Sequence, residues 1–235
     1  MDCTTYFLHS TPNKKQGIMI HNLGKSNSIL NQYLSEIRDH EIQTDRLRFR
    51  FNLERIAQIM AYEISRSFDY ELSEVQTPLG LSEVPLLSDE VVIASIMRAG
   101  IPMHHGFLNV FDHADNGFIA AYRKYGKDDG FEVKVEYVSI PNLEGKILII
   151  ADPMIATGVS AEKTYRQLLA FGKPKHTHFA SIIASKEGVE YLQKKLDDKE
   201  VSIWTLAIDD ELTVKSYIVP GLGDAGDLAF GSKED

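Results

Sequence analysis

Residues 147–169 read ILIIADPMIATGVSAEKTYRQLL, and the fold turns on their order. Ile147 to Ala151 form an unbroken apolar run with no polar alternation, the pattern of a strand buried on both faces. Asp152 and Pro153 end it, a loop holding Thr157 and Gly158 follows, and from about Ser160 the spacing becomes helical. Strand, polar turn and helix in that order make half of a βαβ unit, so the deciding question is whether the unit recurs along the chain.

It does. The runs VVIASIM (91–97), GFIAAY (117–122), KILIIA (146–151), HFASIIA (178–184) and VSIWTLAI (201–208) read as strands, and helices fit at Pro102–Val110, Ser160–Phe171 and Glu187–Leu196. This alternation predicts an α/β fold, a mostly parallel sheet with flanking crossover helices. FEVKVEYVS (131–139) departs from it by strict alternation, with Phe131, Val133, Val135 and Tyr137 on one face, which predicts an antiparallel strand solvated on one side, part of an arm or flap. Upstream, ILNQYLSEIR and LRFRFNLERIAQIMAYEISRSF carry apolar residues at helical spacing, with Thr44 and Asp45 as cap candidates. With no internal repeat and no linker, 1–235 reads as a single domain: a mostly helical region at 1–80, an α/β core at 90–210 with the flap at about 122–140, and a C-terminal loop at 211–235.

Composition narrows the function classes. The 235 residues carry a formal net charge of -9, which argues against a nucleic-acid or anionic-membrane footprint. A single cysteine, Cys3, excludes a disulfide framework and a cysteine-based zinc cluster. The start lacks the pattern of a signal peptide and no apolar stretch reaches spanning length, so the expectation is a cytoplasmic protein. His104 and His105 are adjacent and cannot share one helical face as metal ligands.

In a parallel sheet, ligands collect at the carboxyl ends of strands, and three such ends stand out. After Ala151, the Asp152 carboxylate could accept hydrogen bonds from a sugar diol, while N–H groups at the helix start could cradle a phosphate; no Lys follows Gly158, so this is not a Walker loop. The same residues are also compatible with an ordinary turn whose Thr157 or Ser160 caps the helix. After VVIASIM, Arg98 and Gly100 could bind and approach a diphosphate, or Arg98 could be a solvated loop residue. After GFIAAY, a loop with Arg123, Lys124 and Lys127 could close over an anion, or be a hairpin tip with solubilising charges.

A fourth stretch, VPGLGDAGD (219–227), spells the dinucleotide fingerprint Gly-x-Gly-x-x-Gly. That motif requires a preceding strand, a following helix and a further acidic residue, and the few residues left are not expected to provide them. A nicotinamide or flavin enzyme is the weakest reading.

Together, Asp152 to Gly158, Arg98 to Gly100, Tyr122-Arg123 and Pro220 to Asp227 resemble, in order, the motifs of the uracil phosphoribosyltransferases; Val75 to Gly80 also fits, and only the first twenty or so residues fall outside. The resemblance implies a type I phosphoribosyltransferase core and transfer of a phosphoribosyl group from 5-phosphoribosyl 1-diphosphate to uracil, giving UMP. It assigns Arg98, Arg123 and Asp224 to catalysis. It gives the sugar diphosphate Arg98, Arg123, Asp224 and the run Asp152, Pro153, Met154, Ile155, Ala156, Thr157, Gly158, Val159 and Ser160. Uracil falls to Ile218, Gly223, Asp224 and Ala225, largely through main-chain groups. Magnesium is implied on the diphosphate without an all-protein cage, and a homodimer or larger homo-oligomer is implied as the assembly. Val159 stands where the family usually has a second glycine; KYGKDDG replaces the usual segment after Arg123, IDDELTVKSYI lacks a common Gly-Leu-Asn, and ASKEG replaces Ala-Pro-Glu-Gly. The alternatives are a non-catalytic nucleotide-sensing regulator and a phosphoribosyltransferase for another base.

Overall fold

The strand Ile147–Ala151 has partners on every side. Ile147, Ile149 and Ala151 face one apolar cluster while Leu148 and Ile150 face another, so its run is unbroken because both faces are covered. The computed structural model describes residues 17–125, 131–196 and 199–233. In chain order the elements are β1 (Met19–Asn22), α1 (Ile29–Arg38), α2 (Arg46–Ser65), β2 (Tyr70–Thr77), β3 (Gly80–Leu87), β4 (Val91–Met97), α3 (Ile101–Leu108), β5 (Asp115–Tyr125) and β6 (Phe131–Ser139). There follow β7 (Ile147–Ala151), β8 (Met154–Ile155), α4 (Val159–Leu168), β9 (His176–Ala180), β10 (Ile183–Ser185), α5 (Lys186–Lys195), β11 (Val201–Thr205), β12 (Ala207–Asp209), β13 (Glu211–Leu212), β14 (Ile218–Val219) and α6 (Ala225–Phe230).

The main sheet has seven strands in the order β1-β11-β9-β7-β4-β5-β6. All its pairings are parallel except β5 with β6. Residues of α1, α2, α3 and α6 fill the cluster on one face, and those of α4 and α5 fill the other. The expected helices and the parallel core are therefore present.

Helix α2 shows how sequence builds this. Asp45 caps it, its carboxylate accepting from Leu47 and Arg48 N–H at 3.0 and 3.1 Å, while the Thr44 hydroxyl donates to the Glu41 carbonyl instead. The buried positions Phe49, Leu53, Ile56, Met60 and Ile64 recur at three- and four-residue steps, each large side chain contributing roughly 2 kcal/mol of burial. Asn52 is the polar member of that stripe, and its amide donates to Glu36 on α1 at 2.7 Å, so α1 and α2 are joined by a buried hydrogen bond as well as by apolar packing.

Three features add to or correct the sequence reading. The mostly helical region ends in a hairpin: β2 and β3 are antiparallel and paired only with each other, and most of their side chains are exposed, so no buried face imposed a readable period. The alternation in 131–139 is interrupted, because the β5–β6 register shifts between Ala120 and Ala121 and leaves Glu136 as the extra residue of a bulge. Tyr137 is consequently 55% exposed, while Val138 packs against the core. Finally, HFASIIA and VSIWTLAI are not one strand each. The first divides into the end of β9 and β10, and the second into β11 and β12. Strand β1, too short for a periodic signal, pairs with β11 at the sheet edge.

Candidate functional site

The two divided runs create the frame of the site. After β7, β9 and β11 the chain leaves the main sheet, and the short strands β8, β10 and β12 form a parallel three-stranded sheet in the order β12-β10-β8. Buried hydroxyls satisfy the backbone at the step. Ser181 donates to the Ile183 carbonyl at 3.1 Å, and Thr205 lies against the Ile182 and Ala207 carbonyls at 3.1 and 2.9 Å. A Ser or Thr inside an otherwise apolar run was the available signal for the division. Three strand ends now point the same way, each feeding a different part of the site: Ile155, Ser185 and Asp209.

Beyond Ile155 lies the loop Ala156–Gly158. Gly158 has φ 77° and is the N-cap of α4, with no side-chain cap hydrogen bond. Thr157 does not close that end tightly, since its hydroxyl is 3.5 Å from Val159 N. The first turn of α4 is thus only loosely capped, and a helix start of this kind, at the positive end of the helix dipole, is suited to an anion such as a phosphate. The loop is held from behind by Ser185, whose hydroxyl donates to the Ala156 carbonyl at 2.5 Å and accepts from Gly188 N at 2.8 Å. Asp152, at the start of the loop, is 3.4 Å from Met154 N.

Arg98 and the C-terminal segment meet. Arg98 Nη2 donates to Asp227 Oδ1 at 2.9 Å and to the Gly231 carbonyl at 3.1 Å, so Arg98 is not a free loop residue. A Cβ on Gly226 would stand 3.2 Å from Asp224 Oδ1 and 3.8 Å from Arg98 Nη2, which puts Asp224 and Arg98 in one neighbourhood. Gly100, the N-cap of α3, also lies close to its neighbours: a Cβ there would stand 2.5 Å from the Ala151 carbonyl, so the residue lets the turn after β4 pass the end of β7. The Met97–Arg98 and Val219–Pro220 peptide bonds are cis.

The stretch VPGLGDAGD does lead into a helix, contrary to expectation. Asp224 caps the six-residue α6, its Oδ1 accepting from Asp227 N at 3.0 Å. The dinucleotide reading fails on the other side, because β14, which precedes the glycines, is a two-residue strand paired antiparallel with β13 and lies outside the main sheet. Ile218 is buried in that bridge, opposite Leu212. Gly223 has φ 95° and Ala225 begins α6, so the peptide groups of 223–225 lie at a left-handed turn and a helix start.

Two residues that sequence reasoning missed hold this segment. Arg38, the last residue of α1, donates to both carboxylate oxygens of Asp209 at 2.9 and 2.8 Å, and to the Gly221 carbonyl at 3.0 Å. Asp209 in turn accepts from Gly221 N at 2.9 Å. Both peptide groups of Gly221 are thereby engaged. An Asp at the end of an apolar run was a signal for Asp209, whereas nothing local marks Arg38.

The structure thus brings Arg98, Asp224 and the C-terminal loop together and places 152–160 on the adjoining strand end. Arg123 has its backbone in β5, opposite Val133, but its side chain, like those of Tyr122 and Lys124, and Lys127 altogether, lies outside the described residues. His104 is sealed behind β4. Its Nδ1 is 2.8 Å from Ser95 Oγ and its Nε2 2.7 Å from Asn116 Oδ1, and burial pushes its pKa down, with the Asn116 bond opposing. Because the Asn116 amide nitrogen donates to the Ala114 carbonyl, its oxygen faces the ring, so Nε2 carries the proton and Nδ1 accepts from Ser95. This histidine is a packed core group. Among the described residues no three His, Cys, Asp or Glu side chains converge to hold a metal, and no helix is long and apolar enough to cross a membrane.

Comparison with known proteins places these features. The sequence profile of the family described as uracil phosphoribosyltransferase matches residues 25–232. A curated relative from Porphyromonas gingivalis, named uracil phosphoribosyltransferase, is 52% identical over 211 residues, covering 90% of this chain and 97% of its own. One of the same name from Pyrococcus furiosus is 40% identical over 203 residues, covering 85% of each chain. The solved structure of the AQ2163 protein from Aquifex aeolicus superimposes with a TM-score of 0.81 at 31% identity, covering 91% of this chain and 98% of that one.

Proposed function

Because the chain belongs to the uracil phosphoribosyltransferase family, we propose that it transfers the phosphoribosyl group of 5-phosphoribosyl 1-diphosphate to uracil, releasing diphosphate and forming UMP. The observation that carries this reading is a loosely capped helix start after Gly158, on the strand beside the Arg98–Asp224 neighbourhood, together with a glycine-turned C-terminal loop.

In this reading the whole chain is one phosphoribosyltransferase domain. The α4 N-terminus and the loop Pro153 to Ser160 hold the 5-phosphate, and Asp152 accepts from the ribose hydroxyls. Arg98 and Arg123 neutralise the diphosphate as the bond from C1 to its oxygen breaks. The uracil N1–C1 bond forms, and the N1 proton passes to solvent or to the released diphosphate. Asp224 lies beside the developing positive charge on the ribosyl ring, so the chain acts mainly by positioning and charge stabilisation. Main-chain groups near Ile218 and at Gly223, Asp224 and Ala225 read the uracil edge, whose O2, N3–H and O4 alternate acceptor, donor, acceptor. Cytosine would leave buried polar groups mismatched at that edge, a costly outcome.

The donor set suits a magnesium ion carried by the substrate: Asp152 and Asp224 sit on separate loops, and an ion that dehydrates reluctantly keeps water and phosphate oxygens around it. When bound, it would supply positive charge to the departing diphosphate. A homodimer or larger assembly is supported by the β2–β3 hairpin. A lone two-stranded hairpin is marginal in water, yet this one exposes Leu72 at 72%, Leu79 at 100% and Leu81 at 67%.

The test is incubation of purified protein with magnesium, 5-phosphoribosyl 1-diphosphate and, in parallel, uracil, cytosine, orotate and hypoxanthine. UMP from uracil, with the other bases far behind, is expected; no UMP above a blank, or preference for a purine, sinks the proposal. Light scattering on the same preparation checks the assembly, and a monomer counts against it.

A further inference from the structure

The C-terminal loop reads a base only if its peptide groups stay in fixed register with the sugar-phosphate half of the site. A turn rich in glycine does not hold such a register unaided. In this chain four hydrogen bonds fix it at a single residue. Asp209 Oδ2 accepts from Gly221 N at 2.9 Å, Arg38 Nη1 donates to the Gly221 carbonyl at 3.0 Å, and the guanidinium closes the circuit by a two-pronged bond to both Asp209 oxygens. The Asp209 side chain is 8% exposed and that of Arg38 is 22% exposed, so water competes little for these bonds. The circuit is geometrically demanding. Only a planar, forked cation can hold two carboxylate oxygens and still reach a carbonyl.

Asp209 is itself tied to the phosphate loop. It ends β12, which pairs through β10 with β8, and β8 runs directly into Ala156–Gly158. The frame from phosphate loop to Gly221 is therefore hydrogen-bonded throughout, and Arg38 brings in the N-terminal helical region as its outer brace. Because Gly221 spends both of its peptide groups on this clamp, base contacts fall to the residues after it.

We propose that Arg38 and Asp209 form a positioning pair for base recognition, acting on uracil through Gly221 without touching it. This rests on the uracil phosphoribosyltransferase reading given above. The pair sets the affinity and selectivity of the base subsite and leaves the sugar-diphosphate subsite to other residues.

The experiment measures steady-state kinetics of wild type, Asp209→Asn and Arg38→Lys, with thermal midpoints alongside. In Asp209→Asn the KM for uracil should rise about tenfold or more, while kcat and the KM for 5-phosphoribosyl 1-diphosphate stay within about twofold. Discrimination against cytosine should fall in the same variant, and Arg38→Lys, which loses the forked donor set, should move the same quantities in the same direction and at least as far. Equal rises in both KM values, or a lowered thermal midpoint with the uracil KM unmoved, would show the pair to be structural only and overturn the proposal. If neither variant folds, the pair is a folding element first and the proposal also fails. A wild-type protein that makes no UMP overturns the reading of the whole site; an active wild type whose variants keep the normal uracil KM overturns the clamp alone.

Discussion

The phosphate half of the candidate site is made by one continuous stretch, Asp152 to Ser160, lying between a strand and a helix. The base half is made by a loop near the C-terminus whose shape depends on Arg38 and Asp209, which reach Gly221 across 183 and 12 residues of chain. The first half is local: a buried strand, a left-handed glycine and the first turn of α4 produce it almost by themselves. The second is assembled, and its geometry exists only when three distant segments are packed. A local half should fail by changes within its own loop, an assembled half also by changes far from it.

The largest effects should come from glycines that occupy corresponding places in the two halves. Gly158 has φ 77° and a Cβ there would lie 2.7 Å from the Gly188 carbonyl; Gly221 has φ 55° and a Cβ there would sit on the Ile218 carbonyl. An L side chain is strained at either position before any clash is counted. Gly158→Ala should lower kcat/KM for 5-phosphoribosyl 1-diphosphate by about a hundredfold with little change in the uracil KM, and Gly221→Ala should do the reverse, each corresponding to roughly 2–3 kcal/mol. If both variants lose both substrates equally, the division of the site into two halves is wrong.

Next come the charged groups where the halves meet. Arg98→Ala and Asp224→Ala should each lower turnover by more than about tenfold. Asp224 also caps α6, so the alanine variant loses about 1 kcal/mol of helix stability along with the charge. Asp224→Asn separates the two roles, since asparagine caps equally well. Its turnover should fall nearly as far with the thermal midpoint close to wild type, whereas a fully active asparagine variant would mean that the cap and not the charge is what the site uses.

The same contrast explains what could be read in advance. The phosphate loop was legible because a strand run, Asp152, Gly158 and a helix period all lie within a dozen residues. The hydroxyl groups that adapt the core to it were not, because Ser181 and Thr205 look like interruptions until the step between two sheets is seen. The C-terminal loop was legible as a motif and misread as geometry: its glycines were recognised, while α6 was not expected and Asp227 had no assigned partner until Arg98 was found 2.9 Å away. Arg38 was invisible for a plain reason. At the end of an amphipathic helix it looks like any solvated basic residue near a helix C-terminus, and only tertiary packing gives it Asp209.

The smallest expected effect probes how far the assembled half extends. Glu36, two residues before Arg38 on α1, is buried and accepts from Arg48 Nε and Nη2 at 2.9 Å each, from Asn52 at 2.7 Å and from Gln32 at 3.1 Å. The Arg48 hydrogen bond first, then those of Asn52 and Gln32, hold its carboxyl down to about 2, from an ordinary value of 4.5. Since the folded value lies below the unfolded one, this stabilisation is complete above about pH 4.5 and is lost as the pH falls toward about 2. Glu36→Gln removes the titration and leaves Arg48 and Asn52 with a neutral acceptor, a loss of about 1–2 kcal/mol at neutral pH. Urea unfolding at several pH values should therefore show the variant less stable than wild type at pH 7 and flatter through the acid window. Because α1 carries Arg38, the uracil KM should drift up by about twofold to threefold with the sugar-diphosphate KM unmoved. An equal drift in both would mean that α1 braces the fold as a whole and that the outer limit of the base half lies at Arg38 itself.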